Sequence, residues 1–330
     1  MGSFSPRPRL FSRAWALLAA LCLAFIPLSP PALAASPAST QEPPLPEFLH
    51  VGGPNPFPRD AELLEVFFLN VGQGDAIFLR VGSQTLLIDG GYPESFSQLE
   101  SFLRKEQGSL RVGSLLFTHP HEDHISAPTA LLRRGGGASR AYGNLGRESS
   151  NALFANFLAQ ADARPIPYAQ LASGDLLELG GQGPDRGATP IPGEDFLTQG
   201  SALLRILRWE DSTQDVNAQS LVIHLEYGLR TLLLTADITG VSQHHFFKTQ
   251  GSLLASDILK SPHHGVEPFQ SDFLSAVSPS LAVVTNTPRA SRRAGEQLAL
   301  RGIPALYSGE GDVYLATDGE VWYARQDGGK

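Results

Sequence analysis

The sequence is poor in cysteine, in charge and in apolar runs long enough for a membrane. A single cysteine among 330 residues excludes a disulfide scaffold, a Cys-x-x-Cys redox pair and a cysteine-rich zinc module. Charged residues make up only 18%, and acids outnumber bases by 33 to 25. The resulting net charge of -8 repels long polyanions at a distance, although a local phosphate site stays compatible with it. The 42% of hydrophobic residues still suffices for a large core that needs no disulfide or structural metal to be stable.

The first 34 residues follow the order of a secretory signal peptide. A basic start precedes the 12-residue apolar run Trp15–Ile26, which is shorter than the roughly 20 residues that span a bilayer. The small-residue site Ala32-Leu33-Ala34 comes next. We expect cleavage after Ala34, export to the periplasm or the medium, and no membrane span afterwards; an uncleaved anchor is the alternative. Because residues 1–34 hold three arginines and no acid, cleavage changes the net charge from -8 to -11.

The remainder is predicted to be a linker followed by one domain. Residues 35–60 are rich in proline, which predicts an extended tether, and residues 61–330 form the domain. Within the domain, strands come in two batches with helices between them, which predicts a four-layer αββα sandwich of the α/β class. The predicted elements that bear on function are strands at Ala76–Val81, Thr85–Asp89, Val112–Thr118, Thr231–Thr235, Asp257–Lys260 and Leu281–Thr285, a helix at Ala127–Arg134, and a surface loop at Gly180–Gly200.

Five of the nine histidines fall in two motifs, each directly after a predicted strand. Residues 118–124 (THPHEDH) place four candidate ligands within six positions: His119, His121, Asp123 and His124. Neutral imidazoles with a carboxylate and no thiolate suit zinc, manganese or iron. The run therefore predicts a metal site at the end of a strand.

The second motif, residues 261–265 (SPHHG), would be weak evidence alone, but two aspartates share its position at a strand end. Asp237 follows an apolar strand and is a candidate to bridge two cations. Asp89 likewise follows an apolar strand, and two glycines come directly after it. Residues 71–75 (VGQGD) either form a tight hairpin turn or place an acid near the metals.

In this order, the motifs resemble those of the metallo-β-lactamase fold, and more narrowly the hydrolase domain of the competence protein ComEC. The similarity runs from about residue 63 to 325 without the membrane-channel segments of ComEC. It is carried by residues 68–76 (FLNVGQGDA), 89–91 (DGG), 118–124 (THPHEDH), 217–222 (NAQSLV), 233–238 (LLTADI), 259–265 (LKSPHHG) and 315–322 (LATDGEVW).

The resemblance implies a metallo-β-lactamase-like sandwich with two divalent ions, zinc in preference to manganese. Such a pair would hold a hydroxide and clamp a phosphoryl or carbonyl group. Asp123 and Asp89 are implied as catalytic residues, with Asp89 orienting the histidine loop, and His264 as the group that touches substrate or leaving group. The implied metal ligands are His119 and His121 for the first ion, Asp123, His124 and His263 for the second, and Asp237 between them.

One departure from the wider fold concerns the first metal. A third histidine often stands about 20 residues before the bridging aspartate, and here that position is Asn217. This predicts a weaker or more open first site. His224 cannot replace it, because it alternates with the apolar residues of its strand, and we predict that it lies on the surface.

The sequence thus predicts an exported, metal-dependent hydrolase, first of all a phosphodiesterase or nuclease acting on nucleic acid or a smaller phosphate ester. Two alternatives remain open. The same site would serve a lactone, ester or β-lactam hydrolase, which the acidic charge favours slightly. A non-catalytic metal-binding module of an envelope assembly suits the proline-rich tether. No protein partner can be deduced.

Overall fold

A computed structural model describes residues 44–181, 187–210 and 215–328. The predicted signal peptide and the first part of the predicted linker lie outside these ranges. Among the described residues, no helix is long and apolar enough to cross a membrane.

The first sheet has nine strands in the order β1-β17-β16-β2-β3-β4-β5-β6-β7. Antiparallel pairing holds β17, β16, β2, β3 and β4 together, and parallel pairing continues from β4 to β7. The strands are β1 (Leu49–Val51), β2 (Leu64–Phe68), β3 (Ala76–Val81), β4 (Gln84–Asp89), β5 (Arg111–Phe117), β6 (Gly137–Gly143), β7 (Tyr168–Gln170), β16 (Val313–Thr317) and β17 (Trp322–Gln326).

The second sheet has eight strands in the order β15-β14-β13-β12-β11-β10-β8-β9. Its strands β12 to β15 run parallel, so their carboxyl ends share one edge. The strands are β8 (Leu176–Leu179), β9 (Thr189–Ile191), β10 (Ala202–Leu207), β11 (Val222–Tyr227), β12 (Arg230–Leu234), β13 (Ile258–Lys260), β14 (Leu281–Val284) and β15 (Ala305–Tyr307).

Within the described ranges, six α-helices cover the outer faces of the two sheets. An apolar core of Val66, Leu79 and Leu204 among others fills the space between the sheets. Separate cores pack α1 to α3 on the first sheet and α4 to α6 on the second. The predicted αββα sandwich is therefore confirmed. The helices are α1 (Phe96–Gln107), α2 (Glu122–Arg133), α3 (Ala152–Asp162), α4 (Gly240–Gln250), α5 (Ser271–Val277) and α6 (Arg292–Ala299).

The structure differs from the sequence prediction in several segments, among them the strands β6, β7 and β8, which were not predicted. Part of the predicted linker forms β1, which pairs in parallel with β17. The predicted loop Gly180–Gly200 contains β9, paired with β8. Helix α2 begins at Glu122 rather than Ala127 and continues through Pro128, although proline favours the first turn of a helix. Edge pairing and tertiary packing, which local composition does not encode, account for these differences.

The strand β1 generates a test of the boundary between linker and domain. Leu49 is buried in the core between the sheets, whereas Val51 on the same strand is 38% exposed. We expect Leu49→Ala to lower the free energy of unfolding by about 2 kcal/mol or more, because it leaves a cavity. Val51→Ala should change it by less than about 0.5 kcal/mol. Urea denaturation measures both, and equal effects would mean that β1 is not part of the folded domain.

Candidate metal centre

The candidate ligands converge where the parallel strands of both sheets end. Asp89 ends β4, and the histidine loop follows β5. In the second sheet, Asp237 follows β12 and His264 follows β13. The carboxyl ends of parallel strands are the usual position of a site in α/β folds. The sandwich therefore brings residues that are far apart in the sequence to a single edge.

Four buried side chains form the centre of this convergence. Potential ligand atoms of Asp123, His124, Asp237 and His264 all lie within 4.8 Å of one another. The Oδ2 atom of Asp237 lies 3.2 Å from His124 Nε2 and 3.2 Å from His264 Nε2. On the other side, Asp123 Oδ2 lies 3.5 Å from His264 Nε2. Two carboxylates and two imidazoles thus face one small volume.

A second pair of imidazoles adjoins this cluster. His119 is buried, and its Nε2 lies 3.1 Å from Nδ1 of His121. The same Nε2 lies 3.9 Å from Asp237 Oδ2. Oδ2 of Asp237 therefore faces His119 as well as His124 and His264, and the ring centroids of His119 and His124 lie 4.1 Å apart.

Asp89 lies behind His124 and fixes the histidine loop. Its Oδ1 accepts a hydrogen bond from the Thr118 backbone N–H at 2.8 Å, and its Oδ2 accepts one from the Thr118 hydroxyl at 2.7 Å. The same Oδ2 lies 2.8 Å from His124 Nδ1. A carboxylate on the Nδ1 side leaves Nε2 to face the cluster, which is how proteins orient a metal-binding histidine.

Asp75 plays the corresponding part for His264. Its Oδ1 accepts a hydrogen bond from the Thr285 hydroxyl at 2.6 Å and lies 3.1 Å from His264 Nδ1. Its Oδ2 forms an ion pair of 2.5 Å with Lys260 Nζ. The sequence left open whether residues 71–75 form a turn or supply an acid, and it did not indicate Lys260 or Thr285. A lysine in the otherwise apolar strand β13 was the available signal.

The backbone around the centre is strained. Asp89, Ala236, His263 and His264 adopt positive φ angles between 45° and 55°, a region that non-glycine residues seldom occupy. Only two further non-glycine residues in the described ranges have positive φ. Strain of this kind persists where surrounding contacts hold a functional site in place.

Two glycines allow the loops to approach one another. A Cβ at Gly74 would lie 2.8 Å from the backbone oxygen of Asp123, and one at Gly90 would lie 2.5 Å from Cδ of Pro128. Gly74 also has a φ of 130°. Any larger residue at these positions would push helix α2 and its ligands away from the strand ends.

The structure places the two neighbouring histidines of the second motif differently from the sequence expectation. His264, expected to touch substrate, is buried within the four-residue cluster. His263, expected to be a ligand, has a side chain that is 26% exposed, with Nε2 at 3.7 Å from Asp237 Oδ2. The left-handed backbone at both residues turns the second ring inward, and spacing alone does not reveal this.

Asn217, which stands where the wider fold often has a third histidine, and His224, its possible substitute, also have defined positions in the structure. Asn217 is half-buried, and its Oδ1 has no hydrogen-bond partner among the described residues. The prediction that His224 lies on the surface is wrong, since it is 5% exposed and its Nε2 lies 3.2 Å from the Ala255 carbonyl oxygen. Both faces of β11 are covered, one by the other sheet and one by the segment after α4, so alternation does not imply exposure.

Burial and charge oppose each other in this centre. Burial lowers the pKa of His124, but Asp237 and Asp89 outweigh it and raise that pKa to about 10. Burial likewise lowers the pKa of His264, which Asp237 and Asp75 raise well above its usual range. For His119, burial and the neighbouring His124 hold the pKa well below its usual range. Without a metal ion, the buried acids are therefore balanced by protons on two imidazoles.

The donor set fits divalent cations. Four carboxylates are buried here with one lysine, which leaves three uncompensated negative charges when the imidazoles are neutral. Buried His264 Nε2 and Asp237 Oδ1 have no hydrogen-bond partner among the described residues. Imidazole and carboxylate donors without thiolates suit zinc, manganese or iron. The buried carboxylates are Asp75, Asp89, Asp123 and Asp237.

A profile of the metallo-beta-lactamase superfamily matches residues 69–266, which include every residue of the four-residue cluster. The chain belongs to this superfamily. At this level, the match supports the expected hydrolase class, and the structure contains the expected cluster of His and Asp side chains that could hold metal ions. No curated protein matches the sequence significantly.

Several solved structures are similar to the chain at low sequence identity. The fold protein YhfI from Bacillus subtilis is 12% identical with a TM-score of 0.46, covering 74% of this chain and 96% of YhfI. The diiron β-hydroxylase CmlA from Streptomyces venezuelae is 16% identical with a TM-score of 0.45, covering 80% of this chain and 55% of CmlA. A diphosphatase of the PhnP family is 13% identical with a TM-score of 0.39, covering 74% of this chain and 94% of the diphosphatase. At these values, the neighbours do not discriminate between activities.

Metal binding to this centre should release protons. Because the pKa of His124 is raised to about 10, a divalent cation must displace its proton at neutral pH. We expect affinity to rise with pH, and about one proton or more to be released per chain near pH 7. Calorimetry of Mn²⁺ binding in buffers of different ionisation enthalpy measures this number.

The same pKa predicts the pH dependence of the metal-free protein. Stabilisation from protonated His124 is complete below the unfolded value of about 6.5 and is lost as the pH rises through about 10. His124→Gln should reduce both this loss and the proton release. A binding enthalpy that does not depend on the buffer would contradict the assignment.

Proposed function

We propose that this member of the metallo-beta-lactamase superfamily is an exported, two-metal phosphodiesterase related to the hydrolase domain of ComEC. Its substrate class is nucleic acid or a smaller phosphate ester. The observation that carries the proposal is the convergence of both histidine motifs on Oδ2 of Asp237, which lies 3.2 Å from His124 Nε2, 3.2 Å from His264 Nε2 and 3.9 Å from His119 Nε2.

The grouping of donors supports two cations rather than one. His119 and His121 form one donor group and Asp123, His124 and His264 form the other, with Asp237 common to both. Two divalent charges would more than offset the three uncompensated negative charges of the buried carboxylates. Zinc is the favoured ion, and manganese is the alternative because Asn217 replaces a histidine donor in the first group.

The chemistry of a paired site suits phosphoryl transfer. When bound, two divalent cations supply a nucleophile at neutral pH and stabilise the attacking and leaving oxygens of an in-line displacement. The protein residues hold this geometry, since Asp89 and Asp75 orient the imidazoles from behind. Because these acids and the imidazoles of His124 and His264 are buried, bulk water does not compete for the ligand atoms.

His263 is positioned to serve the leaving group. Its ring is 26% exposed at the opening of the centre, and its Nε2 lies 3.7 Å from Asp237 Oδ2 while its Nδ1 lies 3.8 Å from Glu267 Oε2. An imidazole between a carboxylate and solvent can give a proton to a departing oxygen. In this proposal, His264 is the metal ligand and His263 is the acid, which exchanges the roles expected from the sequence.

A carboxyl-ester, lactone or β-lactam hydrolase is the second candidate. The acidic chain, with a net charge of -8, favours neutral or small substrates over long polyanions. The same cation pair would polarise a carbonyl group.

The experiment compares these candidates in the purified protein. Labelled single-stranded and duplex DNA, a small chromogenic phosphodiester and a chromogenic lactam are incubated with it in Zn²⁺ or Mn²⁺, with a chelated control. We expect metal-dependent phosphodiester cleavage. Asp237→Asn should reduce this cleavage by about 100-fold or more, because substituting even the residues that orient metal ligands lowers metal affinity or activity by about 10–100-fold.

A matched control separates site chemistry from general damage. Asp272 also pairs with a histidine, at 3.0 Å from His244 Nδ1, but on the surface and outside the centre. Asp272→Asn should retain full activity. Lactam turnover without phosphodiester cleavage would replace the proposal by the second candidate. Bound metal with no turnover of any substrate would favour the non-catalytic module.

Export has its own test. The support for it is the order of basic, apolar and Ala-x-Ala segments in residues 1–34. Expressed in a bacterial host, the full-length chain should yield a mature form beginning at Ala35 outside the cytoplasm. Mass spectrometry and fractionation measure this, and an uncleaved membrane-bound chain would show that the segment is an anchor.

A further inference from the structure

Lys260, the last residue of β13, is fully buried directly behind the metal centre. Its Nζ donates a hydrogen bond to the Ala236 carbonyl oxygen at 2.9 Å and forms the ion pair of 2.5 Å with Asp75 Oδ2. A buried ammonium group is costly unless it is paired and hydrogen-bonded. A large free-energy cost is therefore incurred to hold one positive charge at this position.

The lysine is also close to the shared carboxylate. Lys260 Nζ lies 3.9 Å from Asp237 Oδ1, whereas all histidines near Asp237 approach its other oxygen, Oδ2. The positive charge on the Oδ1 side, together with the hydrogen bond to the preceding residue Ala236, fixes the rotation of this carboxylate. Oδ2 is consequently the oxygen presented to the imidazoles.

Asp75 extends this arrangement to His264. Its Oδ2 faces the lysine, and its Oδ1 contacts the Thr285 hydroxyl at 2.6 Å and His264 Nδ1 at 3.1 Å. Asp75 precedes β3 of the first sheet, whereas Lys260 ends β13 and Thr285 follows β14 of the second. One buried network thus connects the two sheets and leaves His264 Nε2 directed at Asp123 and Asp237.

We propose that Lys260, Asp75 and Thr285 are positioning residues for the half of the centre formed by Asp123, His124 and His264. Lys260 orients Asp237, Asp75 orients His264, and Thr285 holds the Asp75 carboxylate. Among the described residues, no hydrogen bond or ion pair joins His119 or His121 to Lys260, Asp75 or Thr285, and His119 approaches the network only at Asp237 Oδ2, at 3.9 Å. Loss of the network should therefore weaken most the cation held by Asp123, His124 and His264, since the other group meets the network only through Asp237. The inference rests on the proposed binding of two cations, and not on the identity of the substrate.

A buried ion pair that only supports the fold would behave differently. In that case, replacing both charged residues by apolar residues of similar size would restore stability and cation binding together. Arg230 and Asp257 provide such a reference, since Arg230 Nη1 lies 3.5 Å from Asp257 Oδ2 in the same sheet, at the opposite ends of the strands from the centre. Asp257→Asn is the matched control.

The test uses the purified protein and three variants: Asp75→Leu, the double variant Asp75→Leu/Lys260→Met, and the conservative double variant Asp75→Asn/Lys260→Met. Cation stoichiometry and affinity are measured by chelator competition with Co²⁺, whose absorption spectrum reports ligand geometry, and stability by urea denaturation. Asp75→Leu alone should be destabilised, because it leaves the ammonium group unpaired. Both double variants should regain stability.

The network predicts that cation binding does not recover with stability. In Asp75→Leu/Lys260→Met, one of two Co²⁺ ions should bind about 10–100-fold more weakly, with an altered spectrum, because His264 Nδ1 has lost its carboxylate partner and keeps only the Thr285 hydroxyl, at 3.0 Å. Asp75→Asn/Lys260→Met should recover part of this loss, because an amide oxygen still accepts from His264 and Thr285. Asp257→Asn should lower stability without changing either affinity.

Two outcomes would overturn the inference. Wild-type affinity for both ions in the leucine double variant would show that the network serves the fold alone, as would equal weakening of both ions. A wild-type protein that binds no divalent cation would overturn it together with the proposed function. If the wild type binds two cations and cleaves no phosphodiester, the proposed function fails while the inference is still decided by the affinities.

Discussion

The concentration of negative charge at one edge of the sandwich is the constraint on which the site depends. Four buried carboxylates meet one buried lysine there, and such charge is tolerated only with protons or cations beside it. In the metal-free chain, His124 and His264 supply the protons, because Asp237 and the acids behind each ring raise their pKa. Divalent ions held by these side chains would replace those protons, so binding of the ions should depend on pH.

The four layers make this concentration possible. Each sheet is covered by helices on its outer face and by the other sheet on its inner face, so the strand ends are held rigidly. Left-handed backbone at Asp89, Ala236, His263 and His264, and glycine at position 74, allow the loops to approach closely. The packing of the sandwich offsets this strain at the one edge where it is useful.

Much of the fold and part of the centre could be predicted from the sequence. Apolar strands that end in Asp or His made Asp89, His119, Asp123, His124 and Asp237 recognisable, and the two batches of strands indicated the sandwich. Residues that act from a distance were less accessible. Lys260 lies in an apolar strand, Thr285 follows another, and their common partner Asp75 precedes a strand of the other sheet, so no local pattern connects them.

The sequence by itself determined which side chains are available for metal binding, because short motifs specify the types of ligand residues and their positions at strand ends. Only the tertiary structure decided which groups meet. It turned His264 rather than His263 into the cluster, buried His224, and made an edge strand from part of a predicted linker. These outcomes depend on backbone rotation and on contacts between segments distant in the chain. Motif spacing does not record either of them.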